Sequence, residues 1–187
     1  MLDPTADRAE TETHSLTAGP DDLDGVRVGL VANGKPAAKP VLSVLADRLR
    51  ERHDGLTASM ESVSELNLLK DAERRDSLAT WAAAETDVCL TAFGDCGSCT
   101  KFLTWLTNDI EAAGVPAVGL IDQGFTGDWE SNSIERGRAL RYVPLGVRSE
   151  VTDRERIETA ITADDVAAVE TLLTGRPETN AADEGGD

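Results

Sequence analysis

The sequence has few basic and few aromatic residues. Four lysines and fourteen arginines stand against 35 acidic residues, which gives a formal net charge of -17, and aromatic residues make up 4% of the chain. A nucleic-acid-binding protein needs a basic stripe that neutralises phosphates. Apart from a short cluster at Arg48, Arg50 and Arg52, the basic residues are scattered among acids. The composition therefore argues against a nucleic-acid partner.

The excess of acidic residues also bears on the protein's environment. Abundant Asp and Glu with very few lysines are typical of proteins kept soluble in a salty cytoplasm, where a Debye length of about 3 Å at 1 M salt screens self-repulsion. We predict a halophilic protein with an acidic surface. An ordinary acidic bacterial protein is the alternative, and in both cases the charge describes solubility and not chemistry.

A long apolar run is also missing. No segment approaches the roughly 18 apolar residues of a membrane span. The first ten residues lack the basic start and apolar stretch of a secretory signal. We therefore predict a cytoplasmic protein with no membrane partner. In that compartment the three cysteines favour redox or metal chemistry over a framework of structural disulfides.

Both ends of the chain are polar and acidic. Residues 1–22 and 176–187 contain almost no large apolar side chains, so burial there does not offset the entropy of ordering. We predict that both are disordered tails. Residues 23–175 then form one domain, which is long enough to bury a sizeable core.

Strand-like and helix-like patterns alternate between the tails. The predicted strands are 26–31, 56–60, 87–92, 115–121 and 140–143, and the predicted helices cover 41–49, 64–84 (long or broken), 102–113 and 162–173. This alternation predicts an α/β fold, a single three-layer domain with a mostly parallel sheet of about five strands. The carboxyl ends of the strands then share one edge, where three loops meet: 32–39, 93–98 and 122–128.

The segment Cys96-Gly97-Ser98-Cys99 is the most informative feature. Two thiols at the start of a helix can close a disulfide, while the unpaired amides and partial positive charge of that helix end favour a thiolate. We predict Cys96 as the nucleophile, because the first cysteine is usually the more exposed, and Cys99 as the resolving partner. Asp95 opposes thiolate formation by its charge, or relays a proton. A zinc half-site and two buried small residues are the alternatives.

The other candidate metal ligands are poorly placed for a closed zinc site, which requires four ligands. His14 lies in the predicted tail, His53 lies alone near a helix end, and Cys89 is expected in a buried strand as a small hydrophobe. Only a dimer could complete the set. We predict neither a metal ion nor another cofactor.

The loop after the first predicted strand resembles a phosphate-binding loop in its spacing. Residues 29–35 have its glycine and lysine spacing, but Pro36 replaces the Ser or Thr that holds magnesium and removes an amide donor, so we reject nucleoside triphosphate binding. Asn33 and Lys35 remain candidates for a small polar or anionic substrate, and a solvated turn is the alternative. The full set of predicted substrate-binding residues is Asn33, Lys35, Ser98, Thr100 and Phe125, the last as a pocket wall.

The chain resembles the UGSC family of selenoproteins and their cysteine-containing relatives. The resemblance is carried by residues 94–100 (GDCGSCT), by 114–118 (GVPAV) after the next helix, and by 33–36 (NGKP), within a span of about 26–173. Selenoprotein members carry selenocysteine where Cys96 stands here. The family domain is similar to part of the selenoprotein of glycine and betaine reductases, which implies reductive or nucleophilic chemistry on a small molecule. Sulfur is a poorer leaving group than selenium, which implies slower chemistry or another substrate.

These features predict a thiol-dependent oxidoreductase acting on a small-molecule substrate. Cys96 attacks, Cys99 closes the disulfide, and an external thiol or protein reductant resets the dithiol. Two alternatives remain: a non-enzymatic module that binds or senses a metal or small ligand, and an accessory subunit that lends its dithiol to a reductase complex. A homo-oligomer is compatible with each hypothesis.

Overall fold

A parallel sheet organises the chain in the computed structural model, which describes residues 14–64 and 66–175. The strands are β1 (Arg27–Ala32), β2 (Thr57–Ser62), β3 (Val88–Gly94), β4 (Ala117–Asp122) and β5 (Arg141–Leu145). The helices are α1 (Ala38–Arg52), α2 (Ala72–Glu85), α3 (Gly97–Ala112), α4 (Thr126–Glu135), α5 (Arg154–Ala160) and α6 (Ala163–Thr174), with short 3-10 turns at Leu66–Lys70 and Gln123–Phe125. The strand order is β2-β1-β3-β4-β5 and every pairing is parallel, so the predicted fold class is confirmed.

Helices cover both faces of the sheet. On one face α1 contacts α5 and α6, and apolar side chains such as Leu45 and Val169 join one large core cluster. On the other face α3 contacts both α2 and α4, and Leu78 and Leu106 pack with Cys89. The three layers therefore enclose two cores, one on each side of the sheet.

The burial of each strand follows its place in the sheet. The central strand β3 is buried at all its positions, because a parallel strand with helices on both faces shows no polar alternation. The edge strand β2 is polar and largely exposed, with Met60 38% exposed. The weak pattern of the second predicted strand is therefore explained by its edge position.

A close approach between a helix and the sheet explains one glycine. The indole of Trp129, in α4, lies directly on the backbone of Gly119 in β4, so any Cβ at position 119 would clash with the ring. The ring nitrogen of Trp129 donates a hydrogen bond to the carbonyl of Leu140, with N···O 3.1 Å. This contact fixes α4 against β4 and places the loop that joins them.

One helical segment follows the broken alternative of the prediction, and two helices were not predicted. The predicted helix over 64–84 is divided into the 3-10 turn and α2, where the Asp71 side chain caps α2 by accepting the Glu73 amide. Both α4 and α5 were missed, because they are short and rich in charged and small polar residues. Over the residues described, no helix combines the length and the apolarity of a bilayer-spanning segment.

Part of the predicted amino-terminal tail packs on the domain. The amide of Thr17 donates to Glu111 at 2.8 Å, and Arg141 donates to the Thr17 carbonyl at 2.7 Å. Leu16 packs on the apolar cluster under α4. Thr17 and Leu16, within the predicted tail, therefore contact the domain, because a buried ion pair binds the polar backbone of Thr17. Residues 1–13 and 176–187 lie outside the described part of the chain.

The strand order creates a crevice at one edge. β1 lies between β2 and β3, and the helices that follow β1 and β3, α1 and α3, lie on opposite faces of the sheet. The loops after these two strands therefore diverge, and the crevice between them is where doubly wound folds bind their ligands. The dithiol segment begins at this point.

Candidate functional site

Cys96 lies at the amino end of α3, as predicted. It is the residue that caps the helix, with extended backbone angles (φ -155°, ψ 162°), and its Sγ accepts the backbone N–H of Cys99 at 3.2 Å. Sγ of Cys96 and Sγ of Cys99 form a disulfide, with the two Cα atoms 5.1 Å apart. The chain therefore carries a dithiol capable of redox chemistry, in which one sulfur occupies the position of a helix-capping oxygen.

The two sulfurs differ in access. Cys96 is half-buried, whereas Cys99 is 2% exposed beneath the first turn of α3. Ser98 is exposed, and its Oγ lies 3.6 Å from Sγ of Cys96. A partner molecule approaching from solvent reaches Cys96 first, which is the order of exposure that the sequence predicted.

Asp95 lies in a nearly closed position beside the disulfide. Its side chain is 7% exposed, and its Oδ1 lies 3.1 Å from Nζ of Lys35, whose side chain is 26% exposed. The two groups form an ion pair without hydrogen-bond alignment, since Oδ1 accepts no hydrogen bond from the described residues. Lys35 and Asp95, two of the predicted site residues, are therefore brought together across the crevice.

Asn33 has a different role from the one predicted. It is fully buried, its Nδ2 donates to the Phe93 carbonyl at 2.9 Å, and its Oδ1 accepts the Phe93 amide at 2.9 Å. The Ala92–Phe93 peptide bond is cis, and the β3 to β4 register shifts here. The side-chain amide that we expected to hold a substrate instead joins the loops after β1 and β3, because the bulged backbone at Phe93 needs partners inside the protein.

Thr100 is also placed differently from the prediction. It is fully buried in α3, and its Oγ1 has no hydrogen-bond partner among the described residues. A Cβ on Gly94 would lie 3.0 Å from this oxygen and 2.8 Å from the side chain of Ile121. Thr100 thus packs on the backbone that leads into Asp95 and is closed off from solvent.

A polar cavity opens beside Asp95 at the carboxyl ends of β3, β4 and β5. Its volume is about 370 Å³, and its walls are Asp95, Asp122, Gln123, Leu145, Gly146, Arg148, Ser149 and Glu150. Phe125, which we predicted as a pocket wall, is half-buried in the following 3-10 turn and does not line this cavity. A ligand in this space would meet charged and amide groups, and only Leu145 presents an apolar side chain.

The fourth loop of this edge was missed by the sequence analysis. Residues 146–150 follow β5 directly, and the carbonyl of Ser149 accepts the amide of Ala37 at 3.0 Å, which ties this loop to the loop after β1. The sequence could have indicated this loop, since every loop that follows a strand of a parallel sheet lies at the carboxyl edge of that sheet. The prediction ended β5 at residue 143, so the loop was not recognised.

Two further side chains clarify the chemistry of the dithiol. Cys89 is fully buried in β3, and burial raises the pKa of its thiol far above the ordinary value. Nζ of Lys101, one turn into α3, lies 5.3 Å from the ring centroid of Trp105 farther along the helix. Lys35 is linked to the dithiol through its ion pair with Asp95.

Three potential metal-ligating groups converge at this point. One ligand atom each of Asp95, Cys96 and Cys99 lies within 4.8 Å of the other two. At this segment only the two cysteines were predicted as metal ligands, because the position of Asp95 depends on the register shift before it. This donor set is one ligand short of a closed zinc site.

A family model described as the UGSC family matches residues 1–175, a longer stretch than the resemblance seen in the sequence alone. No curated protein matches the chain. The match covers nearly the whole chain and includes the Cys96–Cys99 disulfide at its CxxC spacing. The chain therefore belongs to the UGSC family, as a member with cysteine at position 96.

Proposed function

We propose that the protein is a thiol-dependent oxidoreductase that reduces a small molecule with the Cys96–Cys99 dithiol. The observation that carries the proposal is the asymmetry of the two sulfurs. Cys96 is accessible and caps α3, whereas Cys99 is buried and lies within disulfide distance of it. Such a pair has one sulfur that attacks and a second that resolves.

The amino end of α3 favours the anionic form of Cys96. The Cys99 N–H points at Sγ of Cys96 over 3.2 Å, and the first turn of a helix carries a partial positive charge. In the reduced protein the same amide would donate to a thiolate. The backbone of α3 therefore activates the nucleophile without a histidine beside it. Among the described residues that line the site there is no histidine.

The reaction balances as a transfer of one electron pair. The Cys96 thiolate attacks one atom of a bond X–Y, Y leaves with the electrons of that bond, and a covalent Cys96–X adduct forms. The Cys99 thiolate then attacks Sγ of Cys96, X leaves with the electrons of the Sγ–X bond, and the disulfide closes. Both leaving groups take up a proton. The substrate is reduced and the dithiol is oxidised, and an external thiol or protein reductant reverses the second change.

Asp95 is the group we assign to accept the proton of Cys99. Its carboxylate lies within 4.8 Å of both sulfurs, and its buried Oδ1 accepts no hydrogen bond from the described residues. The Cys99 thiol must lose its proton before it attacks, and a carboxylate at this distance, directly or through one water, receives it. Nζ of Lys35 lies 3.1 Å from this carboxylate and compensates its charge.

The cavity next to Asp95 is the space that we assign to the substrate. It opens at the carboxyl edge of the sheet, and Asp95 is shared between its wall and the dithiol. Arg148 and Glu150 supply charges of both signs in the same wall. A small polar molecule is therefore the class of substrate that fits.

Adduct formation tests the proposal. Reduced wild-type protein, treated with a small disulfide such as 2-hydroxyethyl disulfide and mapped by peptide mass, should give the bond between residues 96 and 99. Cys96→Ser should give neither adduct nor intramolecular bond, with an unchanged circular dichroism spectrum. Cys89→Ser is the matched control and should behave as wild type, since Cys89 is buried away from the site. A Cys96→Ser protein that still reduces the disulfide would show that the assignment is wrong.

A second candidate function is metal binding by the reduced protein. The observation that favours it is the approach of Asp95 to both sulfurs, which supplies three ligands and leaves one position open. Anaerobic titration of the reduced protein with zinc, followed by thiol counting, separates the two functions. If one zinc ion binds per site and protects both thiols from disulfide substrates, the result favours metal binding. If the thiols stay reactive in the presence of zinc, the result favours the oxidoreductase.

A further inference from the structure

The exposed side of α3 forms one stripe that begins at the dithiol. Ser98, Lys101, Phe102 and Trp105 follow one another at helical spacing and are exposed or half-buried. Ser98 lies beside Sγ of Cys96. Because a helix rises about 1.5 Å per residue, Trp105 lies roughly 10 Å along the helix from Ser98. A protein bound over Trp105 would therefore reach Cys96.

Cations surround the aromatic part of this stripe. The Arg136 guanidinium lies 4.2 Å from the ring centroid of Trp105, and Lys101 lies 5.3 Å from the same ring. Lys70 lies 5.3 Å from the ring of Phe102, whose edge meets Trp105 at 5.4 Å between centroids. We call this set of five residues the α3 patch. It joins three separate segments of the chain at one surface.

The charges of the α3 patch are not neutralised. Among the described residues, Lys70, Lys101 and Arg136 form no ion pair with a carboxylate, and each lies over an aromatic ring. Of the thirteen other described lysines and arginines, seven are paired: Arg27, Lys35, Arg50, Arg52, Arg75, Arg141 and Arg154. The six unpaired ones among these thirteen do not lie over a ring. In a chain of formal net charge -17, three free cations beside two aromatic rings stand out from the surrounding surface. Aromatic and cationic side chains are those that contribute most to protein interfaces.

We propose that the α3 patch is the docking surface of an acidic dithiol protein that reduces the Cys96–Cys99 disulfide. This inference rests on the proposed function and names the partner that resets it. Charge complementarity selects the occupant, because an acidic protein is repelled by most of an acidic surface and attracted where three unpaired cations lie around two aromatic rings. The half-buried Cys96, at the start of the same stripe, is the sulfur that the partner attacks.

The exchange proceeds in two balanced steps. A thiolate of the partner attacks Sγ of Cys96, the Cys96–Cys99 bond breaks, and Cys99 leaves as a thiolate that takes up a proton. The partner's second thiolate attacks its own sulfur in the mixed disulfide, and Cys96 leaves as the thiolate that α3 stabilises. The partner dithiol is oxidised, and this chain gains the electron pair.

The rate of disulfide reduction tests the inference. Oxidised full-length protein is mixed with an excess of reduced thioredoxin of acidic isoelectric point, or with dithiothreitol, and free thiols are counted over time by alkylation and mass measurement. We expect Arg136→Glu and Lys101→Glu each to slow the reaction with thioredoxin about tenfold or more at low salt. Both variants should keep the wild-type rate with dithiothreitol, to within twofold. Salt of about 1 M should remove most of the wild-type advantage.

Arg156→Glu is the matched control, because it makes the same charge change on exposed α5, on the opposite side of the sheet. It should leave both rates unchanged. The docking role of the α3 patch is overturned if Arg156→Glu slows reduction by thioredoxin as much as the patch variants do. It is also overturned if the patch variants slow reduction by dithiothreitol as much as reduction by thioredoxin. A wild-type rate with thioredoxin no faster than with dithiothreitol also overturns it. The wild-type protein could instead self-associate through the patch, which would double its mass in solution, and Arg136→Glu would then restore the monomer mass. That result would identify a second copy as the occupant and overturn the proposal. If dithiothreitol does not reduce the Cys96–Cys99 disulfide, the result would instead refute the proposed function.

Discussion

Nζ of Lys35 lies 3.1 Å from Oδ1 of Asp95, and this ion pair joins the loops after β1 and β3 across the crevice of the sheet. The carboxylate is 7% exposed, so water screens it poorly. A charge in such a position is costly unless an opposite charge compensates it. Lys35 is therefore the residue that permits a carboxylate next to two sulfurs.

The first prediction concerns this ion pair. Lys35→Met keeps the length of the side chain and leaves Asp95 without its cation, so we expect the free energy of unfolding to fall by about 2 kcal/mol. Urea denaturation measures the loss. Lys39→Met, at an exposed lysine in the next turn, should cost under about 0.5 kcal/mol. If Lys35→Met and Asp95→Asn prove fully additive in the double variant, the two side chains do not interact.

The second prediction concerns the connection between Asn33 and Phe93. Asn33→Ala leaves the buried amide and carbonyl of Phe93 without their side-chain partners, so we expect a loss of about 3 kcal/mol in stability. Thermal and urea unfolding of the oxidised protein measure it. Asn33→Asp retains the acceptor for the Phe93 amide but buries a carboxylate oxygen against the Phe93 carbonyl, so it should be at least as unstable as the alanine variant. A variant as stable as wild type with a weakened substrate affinity would restore the substrate-binding role.

The third prediction concerns thiol labelling. Burial raises the pKa of Cys89, and since a thiol reacts only as thiolate, Cys89 stays neutral and unreactive at every pH below that raised pKa. Iodoacetamide at pH 7 to 9 should therefore label the reduced native protein at Cys96 and leave Cys89 unmodified. In about 6 M guanidinium chloride, which unfolds most domains, Cys89 should also react. Peptide mass mapping gives the labelled positions, and labelling of native Cys89 at the rate of Cys96 would contradict its buried state.

The fourth prediction concerns the resolving cysteine. Cys99→Ser removes the sulfur that releases the adduct, so a mixed disulfide at Cys96 should accumulate with 2-hydroxyethyl disulfide and remain until an external thiol is added. Intact mass shows one adduct per chain. Cys99→Ala should give the same adduct, which separates the loss of sulfur from any effect of the new hydroxyl. Turnover at the wild-type rate without Cys99 would assign resolution to another thiol.

The fifth prediction concerns the amino-terminal segment. Glu111 and Arg141 form a buried ion pair at 2.7 Å, and both bind the backbone of Thr17. Glu111→Gln leaves the Arg141 charge buried without its counterion, so we expect a loss of about 3–5 kcal/mol. Hydrogen exchange at the Thr17 amide should accelerate by more than it does in Asp71→Asn, a variant that alters a cap elsewhere. Unchanged protection of Thr17 would show that other contacts hold the segment.

The fold was predictable because its signals are local and repeated. Apolar runs such as that of β3 are typical of central parallel strands, and Gly114 ends α3 with a positive φ of 87°, as its place in the sequence indicated. Thr162 and Asp165 form the predicted capping box of α6. The dithiol at the start of α3 followed from the same local reasoning. The short polar helices α4 and α5 lack such signals and were not found.

The composition of the site was less predictable, because it depends on contacts between distant residues. The loop after β1 contains two polar side chains, separated by one glycine, that take different roles: Asn33 binds the backbone at the Phe93 bulge, and Lys35 pairs with Asp95. Nothing in their local pattern separates them. The wall formed by Arg148 and Glu150 depends likewise on the length of β5 and on the loop that follows it.

The order of the residues was sufficient to define an α/β domain and to place a dithiol at the amino end of a helix, since periodicity, caps and spacing act within a few residues. Tertiary structure alone decided that Asp95 approaches both sulfurs and that unpaired cations lie around Trp105. Burial and charge pairing are properties of surfaces that meet after folding. They join residues far apart in the chain, and no local pattern carries that information.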